Sequence, residues 1–117
     1  MEPGRILVIA PNPDFRRSLA FALETEGYDV TARGDLSVHP DRPAFDAVVL
    51  DHKAAKGAQD SVLAFCRESR PVVLLAGHPQ PWLAAEVFRA VSTPLVDGAL
   101  SVAVADAVGS VRAAQTP

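Results

Sequence analysis

The segment Phe45–Asp51 (FDAVVLD) decides the fold of this chain. Its apolar residues Val48 to Leu50 carry no polar alternation, and the run ends abruptly at a carboxylate. Such a run is typical of a strand that is buried on both faces, as the strands of a parallel sheet are. Asp51 is therefore predicted to lie at the carboxyl end of a buried strand, the edge at which open α/β sheets build their sites.

Two further apolar runs, Ile6–Ile9 and Val72–Leu75, have the same character. Shorter and more polar segments at 29–32 and 90–92 predict two additional strands. Helices are predicted from Pro13 to the glycine at 27, from Gln59 or Asp60 to Arg70, from Trp82 to Phe88 and from Gly98 to Ala113. The connection 33–44 carries Pro40 and Pro43, which forbid a helix interior, so at most one helical turn is expected at 35–38.

This order, a strand followed by a helix five times, predicts an α/β fold with a five-stranded parallel sheet. Short connections and right-handed crossovers favour a doubly wound, flavodoxin-like topology with the strand order 2-1-3-4-5 and a second helix that is short or missing. Residues 1–117 are predicted to form a single domain, with 113–117 as a frayed tail or the start of a linker.

Composition narrows the function classes. Hydrophobic residues make up 49% of the 117 residues, charged residues 21%, and the formal net charge is −3, without a basic cluster. These values are typical of a globular domain and argue against direct nucleic-acid binding. The single cysteine, Cys66, excludes an internal disulfide. No signal peptide and no apolar run of about 20 residues is found, so we expect a cytoplasmic protein without a membrane span.

The chain resembles response-regulator receiver domains in several blocks of sequence. The opening Arg5–Ile9 with Asn12–Arg16, and the segment Leu23–Val30, resemble the first strand, first helix and second strand of that family. Phe45–Asp51 resembles the phospho-acceptor strand, and Pro71–Ala76 resembles strand four. Thr93-Pro94-Leu95 stands where strand five ends in the family. The resemblance covers almost the whole chain.

The resemblance implies five functional residues: two acidic residues, a phospho-acceptor aspartate, a hydroxyl residue and a lysine. This chain keeps one of them. Asp51 stands at the phospho-acceptor position. The acidic pair that holds Mg²⁺ in the family is replaced by Ala10 and Pro11, followed by Asn12. The hydroxyl after strand four is replaced by Ala76. The lysine after strand five is replaced by Thr93, although the following Pro94 remains.

These losses predict a degenerate receiver. Mg²⁺ is usually held by one or two carboxylates, and Asp51 offers one, to which Asn12 could add only a neutral carbonyl oxygen. Phosphoryl transfer depends on positioning and charge neutralisation, which the metal and the lysine supply. We therefore expect no catalysis, no metal and no cofactor, and we interpret Asp51 as a strand-end carboxylate bonded to loop amides or to Lys53. Mg²⁺ is required only if Asp51 still accepts a phosphoryl group.

The histidines, Cys66 and Trp82 are further candidates for functional residues. His52 and His78 fall near the ends of neighbouring strands, and with Asp51 they could form a metal site, but polar loop histidines are ordinary and His39 lies too far along the chain. Cys66 is interpreted as a buried, inert thiol because no basic neighbour is evident. Trp82 could be a core residue or an exposed anchor.

The last helix predicts an interaction surface. Val102 and Ala105 lie away from its core stripe, Leu100, Val104, Ala107, Val108 and Val111. The resemblance implies pairing through helix four, strand five and helix five. The interface candidates are Trp82, Phe88, Val91, Leu95, Val102 and Ala105.

The sequence thus predicts a phosphorylation-independent interaction or dimerisation module of two-component-type regulation. Its partner would be a second copy or a signalling protein, and a C-terminal output domain could follow. Two alternatives stay open: a working phospho-accepting receiver that uses Asp51, and, more weakly, a small-molecule sensor whose ligand occupies the altered pocket at Ala10, Ala76 and Thr93.

Overall fold

The computed structural model describes residues 4–36, 45–55, 59–69, 71–95 and 98–115. Five strands and four helices follow one another along the described chain. They are β1 (Arg5–Ile9), α1 (Pro13–Thr25), β2 (Asp29–Arg33), β3 (Ala47–Asp51), a 3₁₀ turn (His52–Ala55), α2 (Gln59–Glu68), β4 (Val72–Leu75), α3 (Pro81–Ala84), β5 (Arg89–Val91) and α4 (Ala99–Gln115).

All five strands form one parallel sheet in the order β2-β1-β3-β4-β5, which confirms the predicted topology. Ile9 pairs with Leu50 across β1 and β3, and Asp51 pairs with Leu75 across β3 and β4. The residues that follow these pairs therefore meet at the carboxyl edge of the three central strands. The predicted site residues Ala10, Asp51 and Ala76 share this edge because of the register alone.

The central strands are buried on both faces, as their apolar runs predict. Alternate residues of β1, β3 and β4 point to opposite sides of the sheet. One side packs against α1 and α4 around Val8, Leu23 and Val104, and this cluster is the first core. The other side packs against α2 and α3 around Leu50 and Phe65, and this cluster is the second core. Burying one such side chain stabilises the fold by about 1.5–3 kcal/mol, so the two apolar layers hold the sheet between the helices.

The turn after α1 places β2 beside β1. Gly27 has a positive φ of 97°, a conformation in which a Cβ is strained. The Gly27 amide donates to Glu24, and the Tyr28 amide donates to Leu23 at 3.3 Å, the bond pattern of a Schellman motif. Tyr28 packs against the first core, as the sequence predicts for the apolar partner of this motif.

Several boundaries differ from the prediction. The loop after Asp51 begins with a 3₁₀ turn, because the Asp51 carboxylate bonds back to the Lys53 amide. The helix predicted from Trp82 to Phe88 is one turn, Pro81–Ala84, and β5 begins at Arg89 rather than at residue 90. The predicted second helix at 35–38, with the eroded connection to residue 44, lies mostly outside the described residues.

The helix α4 runs from Ala99 to Gln115, two residues beyond its predicted end, and its buried residues lie on one face. Leu100, Val104 and Val108 lie in the first core, whereas Val102 is 57% exposed. The reason is that α4 covers one side of a sheet whose other side is already covered by α2 and α3. Among the helices of the described segments, α4 included, none is long and apolar enough to span a membrane.

Cys66 supplies a test of the second core. Its side chain is fully buried in α2, and burial, with a smaller contribution from the nearby Glu86 carboxylate, raises the pKa of the thiol from 9.0 to about 11. The folded state therefore prefers the neutral thiol. The resulting stability is fully present below the unfolded pKa of 9.0 and is lost as the pH rises through about 11.

We expect the urea concentration at the unfolding midpoint to decrease as the pH rises from 9 to 11. The decrease should be smaller for Cys66→Ala than for wild type, compared at each pH.

At pH 8 the native thiol should react with iodoacetamide about a hundredfold more slowly than the thiol of the urea-unfolded chain, because its thiolate fraction is that much smaller. Equal alkylation rates in the two states would contradict the burial of Cys66.

Candidate functional site

Asp51 is the only buried charged or polar residue among those that the structure describes, with 4% of its surface exposed. Its carboxylate oxygen Oδ1 accepts a hydrogen bond from the Lys53 amide at 3.2 Å. The same oxygen lies 3.3 Å from Nδ1 of His52. The carboxylate is therefore satisfied by the 3₁₀ turn that follows it, as a buried carboxylate must be.

His52 connects the end of β3 to the end of β4. Its Nδ1 lies 3.2 Å from the carbonyl oxygen of Leu75 as well as 3.3 Å from Asp51. Both neighbours of Nδ1 are acceptors, so this nitrogen carries the hydrogen in the neutral ring and in the protonated ring alike. The His52 side chain is 43% exposed, so its other edge remains open to the surroundings.

The three residues after β1 have no carboxylate. Ala10 is buried beside Asp51, and its amide donates to the carbonyl of Arg33. Asn12 caps α1, and its side-chain oxygen accepts from the Phe15 amide at 3.0 Å. The neutral oxygen that could have replaced a lost metal ligand is thus bonded to the helix.

Arg16 is a residue of this site that the sequence analysis missed. Its Nη1 donates to the carbonyl oxygen of Ala10 at 2.8 Å and lies 3.4 Å from that of Pro11. A Cβ built on Gly34 would lie 3.1 Å from the same Nη1, so a glycine there leaves room for the guanidinium. A cation is thereby bound to the backbone of Ala10 and lies beside that of Pro11.

A sequence signal for Arg16 exists. Long helical side chains lean toward the helix N-terminus, and Arg16 stands in the first turn of α1, four residues after Asn12. Its guanidinium can therefore reach back to the loop between β1 and α1.

The ends of β4 and β5 complete the edge. Ala76 is buried, and its amide donates to the Val91 carbonyl at 3.1 Å. Thr93 lies beside the following loop, because a Cβ built on Gly77 would be 3.6 Å from the Thr93 carbonyl oxygen. The Thr93–Pro94 bond, whose isomer the sequence left open, is cis. This side of the pocket therefore offers a methyl group and a neutral hydroxyl.

The residues of this edge do not fit Mg²⁺. Octahedral magnesium needs oxygen ligands that are free to coordinate. Here Oδ1 of the one carboxylate accepts from the Lys53 amide, the Asn12 oxygen caps a helix, and the Ala10 carbonyl accepts from a guanidinium. Within the described parts of the chain, no group of three or more His, Cys, Asp or Glu residues could hold a metal ion, so the set Asp51, His52 and His78 does not form one.

The interface candidates fall around the β5 edge of the sheet. Val102 and Ala105 are exposed on α4, on one side of the sheet. Trp82 is half-buried against the second core, on the other side. Phe88 is 40% exposed between them, just before β5. Leu95 packs partly against the first core.

Val91, one of the predicted interface candidates, does not lie on this exposed surface. It is 8% exposed and belongs to the first core, because its position on β5 turns its side chain toward α4. Its neighbour Arg89 is exposed instead. The Arg89 guanidinium lies 5.4 Å from the centre of the Phe88 ring and donates to Asp106 of α4 at 2.7 Å.

Neither protein-family models nor curated protein sequences match this chain. Solved structures do. A response regulator receiver domain protein from Clostridium thermocellum is 22% identical, with a TM-score of 0.79 over 96% of this chain and 99% of that one. The signal receiver domain of an HD domain-containing protein from Pseudomonas fluorescens Pf-5 is 19% identical, with a TM-score of 0.74 over 97% and 99% of the two chains.

A longer protein also contains this fold. NtrX from Brucella abortus, solved in complex with ADP, is 23% identical, with a TM-score of 0.77 over 97% of this chain and 29% of the NtrX chain. At these identities the likeness establishes the fold. The chain therefore has the flavodoxin-like fold of response regulator receiver domains, a fold used in two-component signalling.

Addition of Mg²⁺ at millimolar concentration should leave the amide NMR signals of Ala10, Asn12, Asp14 and Asp51 unshifted, because no ligand set for the ion exists there. Pro11→Asp is the matched positive control, since it places a second carboxylate on an exposed position of the same loop. Saturable shifts in the wild-type chain would contradict this description of the site.

Proposed function

We propose that this chain is a phosphorylation-independent, receiver-like interaction module of two-component-type signalling, acting in the cytoplasm without catalysis and without a cofactor. One observation carries the proposal. The side chain at the phospho-acceptor position, Asp51, is buried and already bonded within the fold, while every other functional position of the receiver pattern has lost its chemistry.

Electrostatics supports this proposal. Two negative charges about 4 Å apart repel each other by about 1 kcal/mol in water and by more in a partly buried cleft. A phosphoryl donor that approaches Asp51 meets this repulsion with no metal and no lysine after strand five to offset it. Arg16 is the nearby cation, and its Nη1 already donates to the carbonyl of Ala10. An attack by Oδ1 of Asp51 would also have to break its hydrogen bond from the Lys53 amide.

The absence of residues that could sense a phosphoryl group supports the proposal as well. In the receiver pattern the phosphoryl group is sensed by a hydroxyl after strand four and a lysine after strand five. Ala76 has no hydroxyl to move toward a phosphoryl group, and Thr93 has no charge. A phosphorylated Asp51 would thus have no matching partner on β4 or β5, so a switch based on that modification has no mechanism in this chain.

We propose the α3–β5–α4 surface, formed by Trp82, Phe88, Leu95, Val102 and Ala105, as the site of interaction. Val102 is a large apolar side chain that remains exposed on an otherwise well-packed helix. Arg89 and Asp106 flank the surface as an ion pair that links β5 to α4 and fixes the relative position of the two elements. The proposed partner is a second copy of the chain or another signalling protein, and an output domain C-terminal to residue 117 is compatible with this arrangement.

A phospho-accepting receiver is the second candidate function. The observation that favours it is the position of Asp51, at the carboxyl end of β3 in a receiver fold. It requires Asp51 to be released from the Lys53 amide and His52, and it requires a metal site that the pocket does not contain.

Val102→Glu should convert self-associated chains to monomers, because it places a charge in an apolar contact, while circular dichroism remains unchanged because residue 102 faces away from the core. Multi-angle light scattering over a concentration series gives the molar mass. Phe21→Glu is the matched control, since Phe21 is 68% exposed on α1, away from the proposed surface.

Asp51→Asn should leave the molar mass close to that of wild type, because association does not depend on the charge of that side chain. Two results would contradict the proposal: a mass that Val102→Glu leaves unaltered, or an association that Asp51→Asn abolishes in a folded chain.

A further inference from the structure

A second cleft lies next to the Asp51 pocket, on the side of the sheet that α2 and α3 cover. It occupies about 450 Å³ between the 3₁₀ turn after β3 and the segment from the end of β4 to α3. This volume is within the range of about 300–1,000 Å³ in which small-molecule sites are found. The apolar residues Leu74 and Leu83 line part of it, and His52, His78, Gln80 and Trp82 also line it.

The polar side chains of the described residues that line this cleft are those of histidine, glutamine and tryptophan. None of the described residues that line it is an aspartate, glutamate, lysine or arginine. Its polar side chains are two imidazoles, one carboxamide and one indole, and each of these donates or accepts hydrogen bonds without bearing a fixed charge. The cleft is therefore suited to an uncharged ligand with hydrogen-bonding groups.

His52 determines whether its wall of the cleft donates or accepts a hydrogen bond. Its Nδ1–H faces the acceptors Leu75 O and Asp51 Oδ1, at 3.2 and 3.3 Å. Nε2 of the neutral ring is consequently an acceptor. A ligand beside Nε2 has to supply a donor, such as an exocyclic amino group or a ring N–H.

Gln80 and Trp82 add edge recognition and stacking. Gln80 immediately precedes α3, but its side chain does not cap the helix, so its carboxamide is not used for that purpose. A glutamine carboxamide presents a donor and an acceptor side by side, which matches the edge of a purine base. An indole offers a flat surface on which a base stacks. Both side chains line the same cleft.

We infer that the cleft between the 3₁₀ turn and α3 binds a planar, uncharged heteroaromatic ligand of the purine type, with Trp82 as the stacking surface and with Gln80 and the Nε2 atom of His52 as the hydrogen-bonding groups. Trp82 also belongs to the proposed α3–β5–α4 surface, but the inference does not require a partner to bind there. It also differs from binding in the altered pocket at Ala10, Ala76 and Thr93, since none of these residues lines the cleft.

The test is a titration with adenosine and with guanosine, and ribose serves as the probe without a base. Trp82 is the single tryptophan of the chain, so its fluorescence reports on the cleft directly. Isothermal calorimetry gives an independent dissociation constant. We expect at least one nucleoside to bind saturably, with a change in Trp82 fluorescence, and ribose to give no response.

Variants separate base recognition from adventitious stacking. Gln80→Leu and His52→Phe should each weaken binding about tenfold, the loss expected for one hydrogen bond. Phe21→Leu, an exposed substitution on α1, should bind as wild type does. Because His52 also contacts Asp51, circular dichroism must show that His52→Phe is folded, and the exposed Gln80→Leu decides the matter if it is not. The inference is overturned if neither nucleoside binds saturably, if ribose produces the same response, or if a folded variant of either residue keeps wild-type affinity.

Discussion

The buried carboxylate of Asp51 is the constraint on which the carboxyl edge of the sheet depends. A carboxylate removed from water needs compensating hydrogen bonds, and without them its burial is costly. Here the Lys53 amide donates to Oδ1 and the His52 ring lies 3.3 Å from the same oxygen, and both residues belong to the turn that begins immediately after β3. The bonds that satisfy the charge thus also shape the turn, hold His52 against the β4 carbonyl, and set one wall of the neighbouring cleft.

The geometry of the same edge does not depend on the chemistry of the side chains that stand there. The register still brings Ala10, Asp51 and Ala76 together, and Thr93–Pro94 still follows β5 with a cis bond. Apolar packing on both faces of the sheet maintains this arrangement and does not depend on the side chains at the strand ends. The fold therefore does not require acidic residues at the end of β1, where Ala10 and Pro11 stand and where Arg16 donates to the Ala10 carbonyl.

The fold was largely predictable because the apolar runs of β1, β3 and β4 and the glycine after α1 act locally. The bond from a loop amide to Asp51 was expected, but the 3₁₀ turn at His52 that accompanies it was not, since no periodicity reveals that turn. Arg16 was missed because its role follows from a side chain reaching back across one helical turn. Predicting the burial of Val91 would have required the sheet register. Predicting the cleft would have required the length of α3. None of these can be read from spacing alone.

Intact mass after incubation with acetyl phosphate and Mg²⁺ tests phosphorylation independence most directly. A conventional receiver domain labelled in parallel controls for the reagent, and Asp51→Asn controls for the site. The buried, bonded state of Asp51 and the lack of a metal site predict no mass gain in the wild-type chain while the control is labelled. A gain of one phosphoryl group that Asp51→Asn abolishes would contradict this prediction and establish Asp51 as a working phospho-acceptor.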